Sequence, residues 1–154
     1  MDEKALNKAF VEEAQRSSQF VVWLLSRTKF RNTPSRLVLA RGDNPWYRSK
    51  KTGKDSETDI LLVFETPDTR FALHLENKTP AMRGFRPNQP QDYQERATDW
   101  LNTPKWGSYR DFEIGIIAPL VFRAANKAEC DVFHRFLSYE EIAAWIPEFA
   151  ASGI

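Results

Sequence analysis

Three side chains could carry out hydrolysis together: Asp59, Glu76 and Lys78. Glu76 and Lys78 close the segment Leu73-His74-Leu75-Glu76-Asn77-Lys78, where strand alternation puts both on one face, about 7 Å apart. Asp59 opens the preceding apolar run. A hairpin turning at Thr66-Pro67-Asp68-Thr69 would bring it to the same end of the sheet as Glu76. Two converging carboxylates suit a hard divalent cation such as Mg²⁺ or Mn²⁺, which takes a few protein oxygens and keeps several waters. The backbone carbonyl of Asn77 is a further oxygen within reach, its side chain pointing away. A lysine beside such a centre can hold a water or stabilise a developing oxyanion, and the set could attack a phosphodiester. The plainer alternative is an ion pair at the end of an ordinary strand.

The elements that must position these groups follow from periodicity and punctuation. Residues 3–28 read as one amphipathic helix, with Leu6, Phe10, Ser17, Phe20 and Leu24 recurring at spacings of four and three. Glu13 is the charged member of that stripe, while Glu12 falls about 100° away toward solvent. Glu13 thus aims either at a site needing a carboxylate or along the stripe edge to water. Arg36 to Ala40 is a short strand. The following polar segment reads as a long hairpin loop in which Arg41, Arg48, Lys50, Lys51 and Lys54 outnumber Asp43, with Trp46 and Tyr47 interleaved. Such a loop could follow a phosphate backbone and stack on bases, or be solvated with its aromatics packed on its own hairpin.

Asp59 to Glu65 and Arg70 to Lys78 are strong strand signals, the first continuously apolar from Ile60 to Phe64 as for a strand covered on both faces. Asn88, Pro90 and Gln91 predict a capped helix start, the helix running to about Leu101. Phe112 to Pro119 is a buried strand, residues 124–129 a helical turn, and the segment from Asp131 a further strand. Ser138 and Glu141 form a capping box opening a last helix that Pro147 bends or ends. The order is helix, three strands, helix, strand, helical turn, strand, helix: an α/β fold with a mixed sheet flanked by helices.

Composition narrows the function classes. The chain has 154 residues, 42% hydrophobic and 13% aromatic, which suits a single domain with one real core. The first eight residues contain two acids and two lysines, unlike a secretory signal, and no apolar run reaches membrane-spanning length. A cytoplasmic protein with no membrane partner is expected. One cysteine, Cys130, excludes an internal disulfide, and two histidines, His74 and His134, leave little for zinc or a His-dependent triad. No glycine-rich phosphate loop is present. The net charge of +1 excludes nucleic-acid binding by bulk charge, so any positive surface must be local.

These residues resemble the PD-(D/E)xK nuclease superfamily, whose restriction-endonuclease-like core runs αβββαβ: Asp59 before one strand, Glu76-x-Lys78 ending the next, and the same element order. The likeness continues through Phe85, Pro87, Gln89 and Tyr93, the last two matching the Gln-x-x-x-Tyr signature of the RecB-like branch. It spans roughly residues 10–145, with Thr58 where the superfamily's eponymous proline would precede Asp59. The resemblance implies a metal-dependent nuclease acting on DNA, or on RNA. Asp59 and Glu76 would bind Mg²⁺ or Mn²⁺, with Glu13 near the metal or its waters, and Lys78 would orient the attacking water. Gln89 would contact the phosphate or scissile region, and Tyr93 would support it. Arg83, Arg86 and Arg96 would lie near the mouth as phosphate contacts, Arg96 alternatively pairing with Asp92 or Asp99. His74 is either a supporting group or a satisfied structural histidine, and Glu57 a supplementary ligand or an exposed acid. A homodimer or partner protein would supply target choice. The second reading is a catalytically silent relative that binds nucleic acid or a partner protein.

Overall fold

The computed structural model describes residues 1–152. Five strands form one mixed sheet in the order β1 (Arg36–Arg41), β4 (Ile60–Glu65), β5 (Arg70–Asn77), β6 (Asp111–Ala118), β7 (Arg135–Ser138). The first three are antiparallel, and β6 and β7 continue parallel to β5. Ile60 pairs with Leu75, so Asp59 and Glu76, one residue outward on each strand, face each other across the hairpin end. The alternation read from β5 is present. Leu73 and Leu75 enter a core with Leu6, Phe10, Leu24 and Ile142, while Ala72 packs on the opposite face with Trp100, Trp106 and Tyr109.

One long N-terminal helix was expected over 3–28; two are found, α1 (Glu3–Arg16) and α2 (Ser18–Ser26). Ser17 between them is extended, and its hydroxyl accepts from the Phe20 N–H at 3.1 Å. A serine offers the backbone an alternative bond at a helix start, and here that option ends one helix and caps the next. Both helices cover the same sheet face, with α6 (Tyr139–Ile142) and α7 (Glu148–Ser152) beside them. The Ser138–Glu141 capping box forms as expected. The other face carries α3 (Gln89–Asp99) and a 3₁₀ turn at Pro104–Trp106.

The loop after β1 contains its own two-stranded sheet, β2 (Trp46–Arg48) with β3 (Asp55–Glu57). Tyr47, buried on one face of that hairpin, bonds Glu95 and Asp99 of α3, and Ser49 Oγ donates to Glu95 at 2.6 Å. At Gly42 the chain passes so close to α1 that a Cβ would lie 2.9 Å from Val11 and 3.0 Å from the Asn7 carbonyl. The hairpin is therefore fixed between α1 and α3.

Three boundaries differ from expectation. Asn88 is left-handed, with φ 63°, and makes no capping bond; Gln89 instead accepts the Arg86 N–H. The segment after Asp131 stays irregular until β7 because α4 (Leu120–Ala125) and α5 (Lys127–Cys130) fill the crossover from β6. The strand predicted from Asp59 begins at Ile60, because the Asp59 N–H bonds the hydroxyl of Tyr93. No helix among the described residues is long and apolar enough to cross a membrane.

Candidate active site

Asp59, Glu76, Lys78, Gln89 and Tyr93, drawn from the adjoining ends of β4 and β5 and from one helix, form one buried hydrogen-bonded unit. Tyr93 Oη accepts from the Asp59 N–H at 3.0 Å and donates to Glu76 Oε1 at 2.5 Å, so one phenol spans both acidic residues. Gln89 Nε2 donates to Glu76 Oε2 at 2.7 Å, and Gln89 Oε1 accepts from Lys78 Nζ at 2.8 Å. Lys78 Nζ also lies 3.2 Å from Glu76 Oε2 and 4.9 Å from the ring centroid of Phe85. The Gln-x-x-x-Tyr spacing puts both α3 side chains on one helix face toward the strand end, as side chains four apart must be.

Asp59 is held separately. Its Oδ2 accepts the Asn77 N–H at 2.7 Å and its Oδ1 the Asn44 amide at 2.8 Å. The Asn77 side chain points away, as expected, donating to Asn7 at 2.8 Å and accepting from Tyr139 at 2.5 Å. It ties β5 to α1 and α6, and the Lys78 N–H bonds the Ile117 carbonyl of β6.

Glu13 does not join this unit. It pairs with Arg16, and about 15 Å of helix separates it from Glu3, the acid that does reach Asp59. Continuing the stripe one turn before Leu6 leads to Glu3, which is the signal that could have found it. Asn44 gave no such signal. It sits in a loop at φ 56°, its amide 2.8 Å from Asp59 and 3.3 Å from Glu57.

The electrostatics follow from crowding. Burial raises the Asp59 carboxyl well above its ordinary value, and the charges of Glu76 and Glu3 push the same way. Burial also raises Glu3; a hydrogen bond with Asp59 opposes this, the charges of Glu76 and Glu57 add to it, and Lys78 opposes it. Tyr93 is raised well above an ordinary phenol by burial, then by Asp59 and Glu76, so it stays protonated and can donate. Among the described residues no three His, Cys, Asp or Glu side chains are set together as metal ligands. The amides of Asn44 and Gln89 and the Asn77 N–H occupy the carboxylate oxygens instead.

Beneath the unit runs a chain of hydrogen bonds. Tyr109 donates to the Ala97 carbonyl at 2.5 Å, so it accepts from His74 Nε2; His74 Nδ1 then accepts from Thr58, whose oxygen accepts from Arg96 Nε. His74 is therefore a satisfied, neutral histidine, its pKa driven well below the usual value by burial and then by Arg96. Arg96 is corrected from a surface role. Fully buried, it bonds Thr58 and Ser56 and lies 4.2 Å from the Tyr93 ring centroid, while Nη2 has no protein partner.

The basic groups divide. Arg41 forks onto Asp43 at 2.7 and 3.0 Å and lies over Trp106, and Arg48 pairs with Asp55 at 3.0 Å. Lys50, Lys51 and Lys54 are exposed around the tip of the small hairpin. Arg83 and Arg86 are exposed in the segment before α3, which Asn126 anchors through the Arg83 carbonyl at 3.1 Å. In comparisons with known proteins, no family model, no curated protein and no solved structure matches the chain.

Proposed function

We propose that the protein is a divalent-metal-dependent nuclease of the PD-(D/E)xK type, RecB-like branch, with a restriction-endonuclease-like αβββαβ core, hydrolysing phosphodiester bonds in DNA. One observation carries the reading: Glu76, Lys78, Gln89 and Tyr93 interlock in a single hydrogen-bonded unit, with Asp59 attached through Tyr93. An ordinary strand-end ion pair explains neither the phenol spanning two acidic residues nor a third acid approaching them.

Asp59 and Glu76 carry the oxygen type a hard divalent cation takes, and a cation would have to displace the amide donors that now hold those oxygens. Burial first, and then the neighbouring charges of Glu76 and Glu3, raise the Asp59 carboxyl, a cost that a cation at this place would relieve. Mg²⁺ or Mn²⁺ held by Asp59 and Glu76, with Glu3 alongside, would supply Lewis acidity toward the phosphate and toward a water. The chain's own groups do the remaining work. Lys78, fixed by Gln89 and Glu76, presents an ammonium N–H to the attacking water or to a phosphate oxygen as charge develops there. Gln89 aligns Lys78 with Glu76, Tyr93 orients Glu76, and the Asn77 N–H fixes one oxygen of Asp59. Water adds to phosphorus, one P–O ester bond breaks, and a phosphate monoester and a hydroxyl result.

Plasmid or linear DNA incubated with the protein and Mg²⁺ or Mn²⁺ should be cleaved, and chelation should stop it. Folded protein that cuts neither DNA nor RNA with any tested metal would instead support a silent module that binds nucleic acid or a partner. Glu3→Gln should lower cleavage by about 10- to 100-fold, whereas Glu13→Gln, paired only along its own helix, should leave the rate unchanged. Equal rates for both variants would remove Glu3 from the site.

A further inference from the structure

Trp46 is unusual in this chain. Among the described residues it is the one Phe, Tyr or Trp left exposed, at 62%, and it makes no ring contact, whereas the neighbouring Tyr47 is buried against α3. Its location is what gives the exposure meaning. Trp46 pairs with Glu57 across the β2–β3 ladder, so the two side chains stand on one face about 5 Å apart at Cβ. Glu57 shares the Asn44 amide with Asp59, and the Thr58 N–H bonds the Pro45 carbonyl at 3.0 Å. The indole thus sits at the rim of the carboxylate cluster, on a hairpin fixed from behind by Tyr47 and Ser49.

The same hairpin carries positive charge. Arg48 lies two residues along on the Trp46 face, its pair with Asp55 open to solvent at 68% and 58% side-chain exposure, and Lys50, Lys51 and Lys54 follow around the tip. Exposed ion pairs contribute little, so a phosphate can take the place of Asp55 on Arg48. An exposed indole beside unburied cations matches the recurring layout of single-strand sites, in which aromatics stack on bases while basic groups follow the backbone.

We propose that Trp46 is a base-stacking platform beside the scissile position, and that the substrate is therefore a single strand or an unpaired end rather than the interior of a duplex. The inference rests on the nuclease reading. In a continuous duplex both faces of each internal base are already stacked, so an indole at the rim has nothing to accept. With a single strand, one base lies on Trp46, its backbone on Arg48 and the tip lysines, and the next phosphate reaches Lys78. Glu57, held by Asn44, discourages a phosphate from occupying the stacking face itself.

The test measures binding of a fluorescein-labelled oligothymidylate and of a blunt duplex of equal length in EDTA, and cleavage of both in Mn²⁺. The wild type should bind and cut the single strand preferentially. Trp46→Ala should weaken single-strand binding by about 5- to 150-fold while changing duplex binding little, and Trp46→Phe should recover most of the loss. Because Trp46 is exposed, circular dichroism should show both variants folded. Replacing Lys50 and Lys51 by Gln should weaken both ligands and flatten the salt dependence. A Trp46→Ala protein that keeps wild-type discrimination overturns the platform, as does equal loss on both ligands. Wild type that neither binds nor cuts either DNA overturns the nuclease reading and the platform together, whereas cleavage without discrimination overturns only the platform.

Discussion

Lys78→Ala should lower metal-dependent DNA cleavage by about 10²- to 10³-fold, the usual effect of removing a group aimed at developing transition-state charge. The protein should still fold, because Gln89 Oε1 retains the Arg86 N–H and Glu76 retains Tyr93 and Gln89. Lys78→Met, which restores apolar contact with Phe85 without the charge, should be no more active. Glu76→Gln should fall at least as far, since it removes charge from the metal side and presents an amide N–H to Gln89. Single-turnover cleavage across a Mn²⁺ titration separates the two: raising the metal concentration should recover part of the Glu76→Gln loss and none of the Lys78→Ala loss. Variants that fold and still cleave at the wild-type rate would remove both residues from the reaction.

The second large effect is thermodynamic. Asp59 binds its proton more tightly folded than unfolded, because ionising it places a charge in a buried site beside Glu76 and Glu3. From the ordinary aspartate value of 3.8 up to the raised folded value, the unfolded chain holds fewer protons than the native one. Stability therefore falls as pH rises through that window, and is fully present only below it. Asp59→Asn removes the ionisation, so in EDTA its Tm should exceed that of the wild type at pH 8, the two converging near pH 4. Each kcal/mol relieved corresponds to about 2–4 °C for a chain of this size. Mn²⁺ should reverse the ranking. At about 100 times its Kd, a ligand specific to the native state adds about 2.7 kcal/mol. That gain should appear in the wild type and vanish in Asp59→Asn. Differential scanning fluorimetry across pH, with and without Mn²⁺, reads both effects, and a wild-type Tm insensitive to Mn²⁺ at pH 8 would count against a metal held by Asp59.

Much of this arrangement could be read from the amino-acid order. Alternation along β5 assigned Glu76 and Lys78 to one face and Leu73 and Leu75 to the other, and a short turn sufficed to place Asp59 beside Glu76. Gln89 and Tyr93 were found through family resemblance, and the helical spacing of four then explains why both reach one strand end. What escaped depends on contacts distant in sequence. Glu13 satisfied the helical phase, but phase does not say how far along its axis a helix sits on the sheet, and that position brings Glu3 to Asp59. Arg96 occupies the inward face of α3, where composition alone predicts a surface residue; Thr58, Ser56 and the Tyr93 ring make burial tolerable. Asn44 is placed by a loop whose path is set by the close passage of Gly42 against α1. The break at Ser17 was hidden because a serine on an apolar stripe fits the periodicity while its hydroxyl favours a cap.

The anchoring of Asn77 and Lys78 has a consequence for the chain while it is being made. Asn77 is gripped by Asn7 and Tyr139, and Lys78 by the backbone of Ile117, so the residues that fix Lys78 lie both well before and well after it in sequence. During synthesis the β4–β5 hairpin can form early, carrying Asp59 and Glu76, but the parallel partner β6 and the tyrosine of α6 arrive later. Parallel pairing across a long connection is slow, and domains complete as units. Until Asp111 and the residues after it have been made, Asp59 and Glu76 can meet on their hairpin while Lys78 lacks the backbone partner that fixes it, so the cluster assembles only as the fold closes.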